Sequence, residues 1–475
     1  MTGTGSSPGT ILSNVGWLAL AEALGRLLTF VALMHLTRAL GPEPLGMVEF
    51  GLSLFALLAL VALGGIEVLA KRQVARTPRG IGRVAGVTLV VGWAWLLVAA
   101  VGLGAAAPWI DRPAPTLTIA AGFAAAALLA PLTLRFAFLG RERMGRLAAA
   151  NIGGQAIWAL SVLTLVDSPD DVVLVPALWF AGEAARVCVL LFAYRALFGR
   201  IRWPRPLALR TWAAASVPVG LGRIARGSLY VVDVFILGLL APLAIVGLYG
   251  VALRLPLFLV SIAARVHQAV FPSVARLVPA GDATGLGRLQ GLSARAAISL
   301  GLGAALTLGA SGGSWMAVLF GEPWRASAVF LAVLVWKVPL AALPGLYRNV
   351  LWAARPAYEA RISLAGAAAT VVGAVLATLG FGAMGCAVAM VLGEALLLAL
   401  YLRGARGHAN GFEVPDRSWA ALQAIALVGI AGWWLWLPAA GDARIIGSSV
   451  LVGVAAGLLP LLPTLPALIR TLRAR

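Results

Sequence analysis

Long apolar runs, separated by short polar connections rich in arginine, recur from one end of this chain to the other. Taken at the length a helix needs to cross about 30 Å of hydrocarbon, roughly 20 residues, the pattern predicts fourteen spans, near residues 12–37, 47–70, 84–107, 116–139, 147–166, 173–195, 211–240, 244–272, 292–319, 326–350, 358–379, 382–402, 418–438 and 446–468. Hydrophobic positions show no strand-like alternation in these runs, and no connection is long enough for a folded soluble domain. The predicted fold class is an all-α polytopic membrane protein with about fourteen transmembrane helices.

Charge supports that count. Lys71, Arg72, Arg76, Arg79 and Arg83 follow the second span, Arg141, Arg143 and Arg146 the fourth, and Arg200, Arg202, Arg205 and Arg210 the sixth. Arg276 and Arg288, Arg355 and Arg361, Arg403, Arg406 and Arg417, and finally Arg470, Arg473 and Arg475 continue the alternation. The intervening connections are poor in cations or acidic, as at Asp167, Asp170 and Asp171. By the positive-inside rule both termini are cytoplasmic, in a bacterial cytoplasmic (inner) membrane protein. With 61% hydrophobic and only 12% charged residues the chain lies far from soluble proteins, which carry about a quarter charged residues. The net charge of +19 is thereby spent on membrane orientation, and no nucleic-acid partner is expected. Cys188 and Cys386 lie inside apolar spans without metal-ligand spacing and read as small hydrophobes. The first span lacks a basic n-region and a cleavage site, so it reads as uncleaved.

The chain also echoes itself. A shift of 200 residues carries Arg26 onto Arg226, Leu40 onto Leu240 and Val74–Arg76 onto Val274–Arg276; just beyond, Gly80–Arg83 is repeated as Gly285–Arg288. The predicted organisation is an N-lobe of spans one to six (1–197), a basic, proline-bearing cytoplasmic linker (198–210), a C-lobe of spans seven to twelve (211–402), and a second linker with two extra helices (403–475). Parallel repeats of this kind are related by a pseudo-two-fold axis along the membrane normal, with a substrate site between them.

Short motifs sit on this frame: RALGPEPLG (38–46), GIEVLAKRQVAR (65–76), VDVFILG (232–238), GLYGVALRL (247–255), FPSVARL (271–277) and FGEPW (320–324). Together with the twelve-plus-two plan they resemble the polysaccharide (O-antigen, oligosaccharide-lipid) flippases of the multidrug/oligosaccharidyl-lipid/polysaccharide exporter superfamily. The resemblance implies translocation of an undecaprenyl-diphosphate-linked oligosaccharide by alternating access, for synthesis of O-antigen, capsule or exopolysaccharide. It implies membrane lipids and polysaccharide polymerase or assembly proteins as partners, no enzyme activity, no cofactor or metal, and an H⁺ or Na⁺ gradient as the coupling source.

Several ionisable residues fall inside spans, where each is expensive and marks a site or a pair. Arginine stays protonated and binds phosphate oxygens bidentately. Arg223 and Arg226 on span seven, Arg26 on span one, Arg254 on span eight and Lys337 on span ten are therefore the candidate diphosphate ligands. Arg26 could equally pair with Glu22 one turn earlier. Asp233, Glu394 and Glu22 are the candidate ion-coupling carboxylates. Glu67 reads as a helix-end partner of Lys71 and Arg72, Glu183 and Arg186 as a local i,i+3 pair, and Arg135 as close enough to Arg141 to reach the interface. His35 and His267 read as packing or hydrogen-bonding residues. Pro218, Gly220 and Gly222 predict a break in span seven beside Arg223, and Pro339 and Pro344 one in span ten.

The alternatives are a peptidoglycan lipid-precursor flippase, which shares the plan and a cationic cavity, and a drug/cation exporter of the same superfamily, which would line its cavity with acids. A membrane glycosyltransferase would need a sizeable outer loop, which this sequence lacks.

Overall fold

In lipid a chain must satisfy its own backbone groups, and these apolar runs do so as helices. A computed structural model describes residues 24–25, 27–77, 80–405, 442, 445–446 and 449–450. The described residues form sixteen α-helices with short 3₁₀ turns, and no strand. Among them, eight helices are long and apolar enough to cross a membrane, and a ninth span is a pair bent by 43°. The first predicted span is described only from its later part, and the last two lie almost wholly outside the described residues.

The chain divides into two compact units, Met1–Gly247 and Leu248–Arg475. The first contains α1 (Leu27–Leu40), α2 (Pro42–Arg76), α3 (Ile81–Ala106), α4 (Ala114–Ala127), α5 (Arg135–Gly140), α6 (Met144–Leu165), α7 (Val175–Phe198), α8 (Pro206–Ser228) and α9 (Val232–Leu240). Packing thus places the seventh span with the preceding six, whereas the sequence repeat divides the chain at the 198–210 linker. A repeat boundary follows duplication and a packing boundary follows contact, so the two need not coincide.

Proline starts many of these helices, at the position where its missing N–H costs nothing: Pro42, Pro176, Pro206, Pro344 and Pro356 all lie in the first two residues of a helix. Pro218 does not act as a breaker, because α8 runs unbroken through it. The break in span seven falls instead at 229–231, between α8 and α9. Span four breaks where the sequence predicted continuity: α4 ends at Ala127, a 3₁₀ turn spans Pro131–Thr133, and Leu134 adopts a left-handed φ of 45° before α5 begins at Arg135.

The second unit holds most of α10 (Leu243–Ala280), then α11 (Ala283–Ala310), α12 (Gly312–Phe320), α13 (Ala328–Leu334), α14 (Lys337–Ala342), α15 (Pro344–Ala354) and α16 (Pro356–Ala405). Span ten is broken as predicted, between α13 and α14 at 335–336. α16 is a helical hairpin rather than one rod. Gly382 takes a left-handed φ of 63°, and Gly385 then lies against Ala377, Gly393 against Thr370 and Gly366 against Leu397, an antiparallel register.

Candidate functional site

Helices α2 and α8 cross with almost no side chain between them. A methyl group at Gly65 would overlap the Ser216 carbonyl, and one at Gly220 would reach 2.9 Å from the Gly65 nitrogen. Small residues at membrane helix crossings permit such backbone approach. The crossing sets Glu67, just past Gly65, opposite Arg223, just past Gly220: Arg223 Nη2 donates to Glu67 Oε2 at 2.7 Å. A second cation arrives from the broken fourth span, with Arg135 Nε 3.7 Å from Glu67 Oε1. Leu134, strained at its positive φ, turns the chain immediately before it.

The Glu67 side chain is 6% exposed, while those of Arg223 and Arg135 are 39% and 40% exposed, so a buried carboxylate anchors two guanidiniums that remain open on one side. Arg135 also interacts electrostatically with Glu183 and Arg186, which pair with each other one turn apart on α7. Close contact of Gly154 with Gly182 brings α6 and α7 together beside that pair. The cluster contains three guanidiniums and two carboxylates, a surplus of one positive charge. The Nε atoms of Arg135 and Arg186 are buried without a hydrogen-bond acceptor among the described residues, so donor capacity is left over. This arrangement can hold an anion by charge and by bidentate hydrogen bonds.

Two readings are corrected here. Glu67 does not serve Lys71 and Arg72, which are exposed at the helix end; its partners come from α8 and α5. Arg135 turns to Glu67 rather than only toward the Arg141 end of its helix. The Glu183–Arg186 pair is as expected. His35 Nε2 lies 2.7 Å from the Val166 carbonyl, and the His267 carbonyl accepts from Asn349 at 2.9 Å, in keeping with hydrogen-bonding roles.

The other candidates are distributed. Arg226, one turn beyond Arg223, is half-buried with its guanidinium carbon 6.0 Å from the Tyr230 ring centroid. Asp233 is fully buried at the start of α9, where it accepts from the Val234 nitrogen at 3.0 Å. Arg254, half-buried on α10, Lys337, buried at the start of α14, and Glu394, buried in α16, belong to the second unit. Arg26 and Glu22 lie outside the described residues. No group of three metal-ligating side chains occurs among the described residues.

Residues 11–278, more than half the chain, match the family described as "Polysaccharide biosynthesis protein". The chain belongs to that family. No significant match was found among curated proteins. Of solved structures, it is similar to "Lipid II flippase MurJ, inward closed conformation", with TM-score 0.76 and 10% identity over 95% of this chain and 99% of that one. It is also similar to an inward-facing "multidrug resistance MATE family transporter of the MOP superfamily", with TM-score 0.66 and 13% identity over 81% of this chain and 94% of that one. A further MATE structure, in complex with MaL6, gives TM-score 0.55 at 15% identity, covering 83% and 96%. At such identities the likeness establishes the fold, that of the superfamily expected from the sequence. The family and its fold neighbours are flippases and transporters rather than enzymes, and this is a multi-pass membrane protein.

Proposed function

We propose that this family member is a flippase that moves an undecaprenyl-diphosphate-linked oligosaccharide across a bacterial cytoplasmic membrane by alternating access, supplying cell-surface polysaccharide synthesis. The observation that carries the reading is the Glu67–Arg135–Arg223 cluster with its neighbouring Glu183–Arg186 pair, a net cationic site within apolar spans. A diphosphate entering a low-dielectric layer needs compensating charge, and half-exposed guanidiniums held in place by a buried carboxylate offer it without repositioning. Arg226 extends the site along α8, and Arg26, Arg254 and Lys337 remain its proposed further ligands; Asp233, Glu394 and Glu22 are proposed for H⁺ or Na⁺ coupling. The proposed partners are the lipid-linked substrate, membrane lipids and polysaccharide-assembly proteins.

The test is reconstitution into liposomes with a fluorescent diphosphate-linked oligosaccharide lipid, scoring its exposure in the opposite leaflet. Protein-dependent movement that falls at least tenfold in Arg223→Ala, with normal insertion, supports the reading. Undiminished movement in that variant removes Arg223 from the site. A second reading, a flippase for the peptidoglycan lipid precursor, is favoured by the TM-score of 0.76 to a lipid II flippase. The same assay with lipid II as competitor separates the two, because only a peptidoglycan flippase prefers it. A surplus of carboxylates would favour cationic drugs, and this cluster has the opposite balance.

A further inference from the structure

Far from the cationic cluster in sequence, the α16 hairpin closes on three buried oxygens. Glu359 in the first turn is 8% exposed, Ser363 one turn on is 2% exposed, and Tyr401 in the returning helix is fully buried. Their polar atoms form a triangle. Ser363 Oγ lies 2.8 Å from Glu359 Oε1, the Tyr401 hydroxyl lies 3.1 Å from the same Oε1, and the two hydroxyl oxygens are 2.6 Å apart.

Counting protons across the triangle gives a definite answer. Each hydroxyl can donate once, and an ionised carboxylate donates nothing. The three edges require three protons, and Ser363 and Tyr401 supply at most two. When both donate to the carboxylate, the shortest edge sets two oxygen lone pairs against each other. A proton on Glu359 completes the ring and removes a buried negative charge, which is costly where no cation answers it. Among the described residues Glu359 makes no ion pair: its hydrogen-bond partners are these two hydroxyls. The charged or titratable residues on the helices packed against α16 are Lys337 on α14 and Tyr347 and Arg348 on α15. Arg355, Tyr358, Arg361, Glu394 and Arg403 lie beside or on the hairpin itself. None of them ion-pairs or hydrogen-bonds with Glu359 among the described residues.

A metal ion does not fit this ring. Its centre lies about 1.6 Å from each oxygen, below the roughly 2.0 Å that even Mg²⁺ requires. We propose that Glu359, Ser363 and Tyr401 form a proton-binding site whose occupancy pins together the two ends of the α16 hairpin opposite its Gly382 bend. The site lies outside the cationic cluster and among residues to which the substrate reading assigns no role. The expected consequence of deprotonation is a local one: the ends of the hairpin loosen while the bend, held by backbone contact at Gly385, does not.

Two measurements on the full-length protein in membranes test this, neither requiring transport. Infrared difference spectra across a pH titration should show a protonated-carboxyl band in the wild type that Glu359→Gln abolishes and Tyr401→Phe shifts in frequency. Amide hydrogen-exchange protection of residues 356–363 and 398–405 should fall as that band disappears with rising pH. In Glu359→Gln, whose amide mimics the protonated acid, protection should stay constant with pH. Identical spectra for wild type and Glu359→Gln throughout the pH range of the folded protein would overturn the proposal. So would a carboxyl band whose loss leaves the protection unchanged. Because neither readout involves substrate, a negative result here and a failure of the flippase reading are distinguishable.

Discussion

Single residues carry the charge chemistry, and two of them are read correctly only with their partners in view. The Glu183–Arg186 pair is legible in one turn of helix, since i and i+3 side chains share a face. Glu67 and Arg223 are 156 positions apart, and no local rule can pair them. The nearest cations to Glu67 in sequence, Lys71 and Arg72, sit at the helix end where water competes for them. Removing one partner of a half-exposed pair should cost about 1–3 kcal/mol, between the values for exposed and buried pairs. Glu67→Gln is therefore expected to lower the thermal midpoint in detergent by a few degrees. A double-mutant cycle with Arg223→Gln should return a coupling energy of the same sign, and strict additivity would show that the two residues do not interact. Arg223→Lys should restore part of the stability but little of the lipid translocation, because an ammonium lacks the planar fork that grips a diphosphate.

At the scale of elements, hydropathy locates spans but is blind to backbone direction inside them. Proline at 218 looked like a breaker, yet losing one hydrogen bond in a packed membrane helix is tolerated. The apolar run of span four looked continuous, yet its turn at 128–134 delivers Arg135 to Glu67. The glycines just before Glu67 and Arg223 were the available signal, because small residues preceding a charge mark a crossing close enough to bury it. Gly65→Leu should force α2 and α8 apart, with an overpacking cost of about 1–3 kcal/mol or more. A large fall in melting temperature together with lost lipid translocation is expected, whereas Gly102→Leu, where no neighbour lies within 4 Å, should be silent. Outside the spans, Asp442 accepts from Arg325 at 2.7 Å and from Ser314 at 2.7 Å. These bonds, chiefly that of Arg325, hold the Asp442 carboxyl below the ordinary carboxylate range. A depressed value means that the tether is present at neutral pH and is lost only as pH falls through it. Asp442→Asn should accordingly raise hydrogen exchange across residues 311–327 at pH 7, and its difference from wild type should vanish in acid.

For the whole molecule, the alternating arginine clusters make a strong topological statement. A cysteine introduced beside Arg143 should be labelled only by reagents that reach the cytoplasm, and one beside Asp170 by impermeant reagents from outside. A reporter fused to the C-terminus should be active on the cytoplasmic side. The inverse labelling pattern would reverse the expected orientation. The internal repeat, faint in sequence, reappears in contact: a methyl at Gly46 would meet the Leu243 carbonyl, and one at Gly247 would meet the Pro42 carbonyl, a reciprocal approach of the helices opened by Pro42 and Pro242. Helical class, spans and membrane residence were determined by the sequence alone, because a continuous apolar run in lipid has no other way to satisfy its backbone. Which buried charges answer one another was decided only by the tertiary structure. Such pairs depend on where helices cross and break, and hydropathy averages over both.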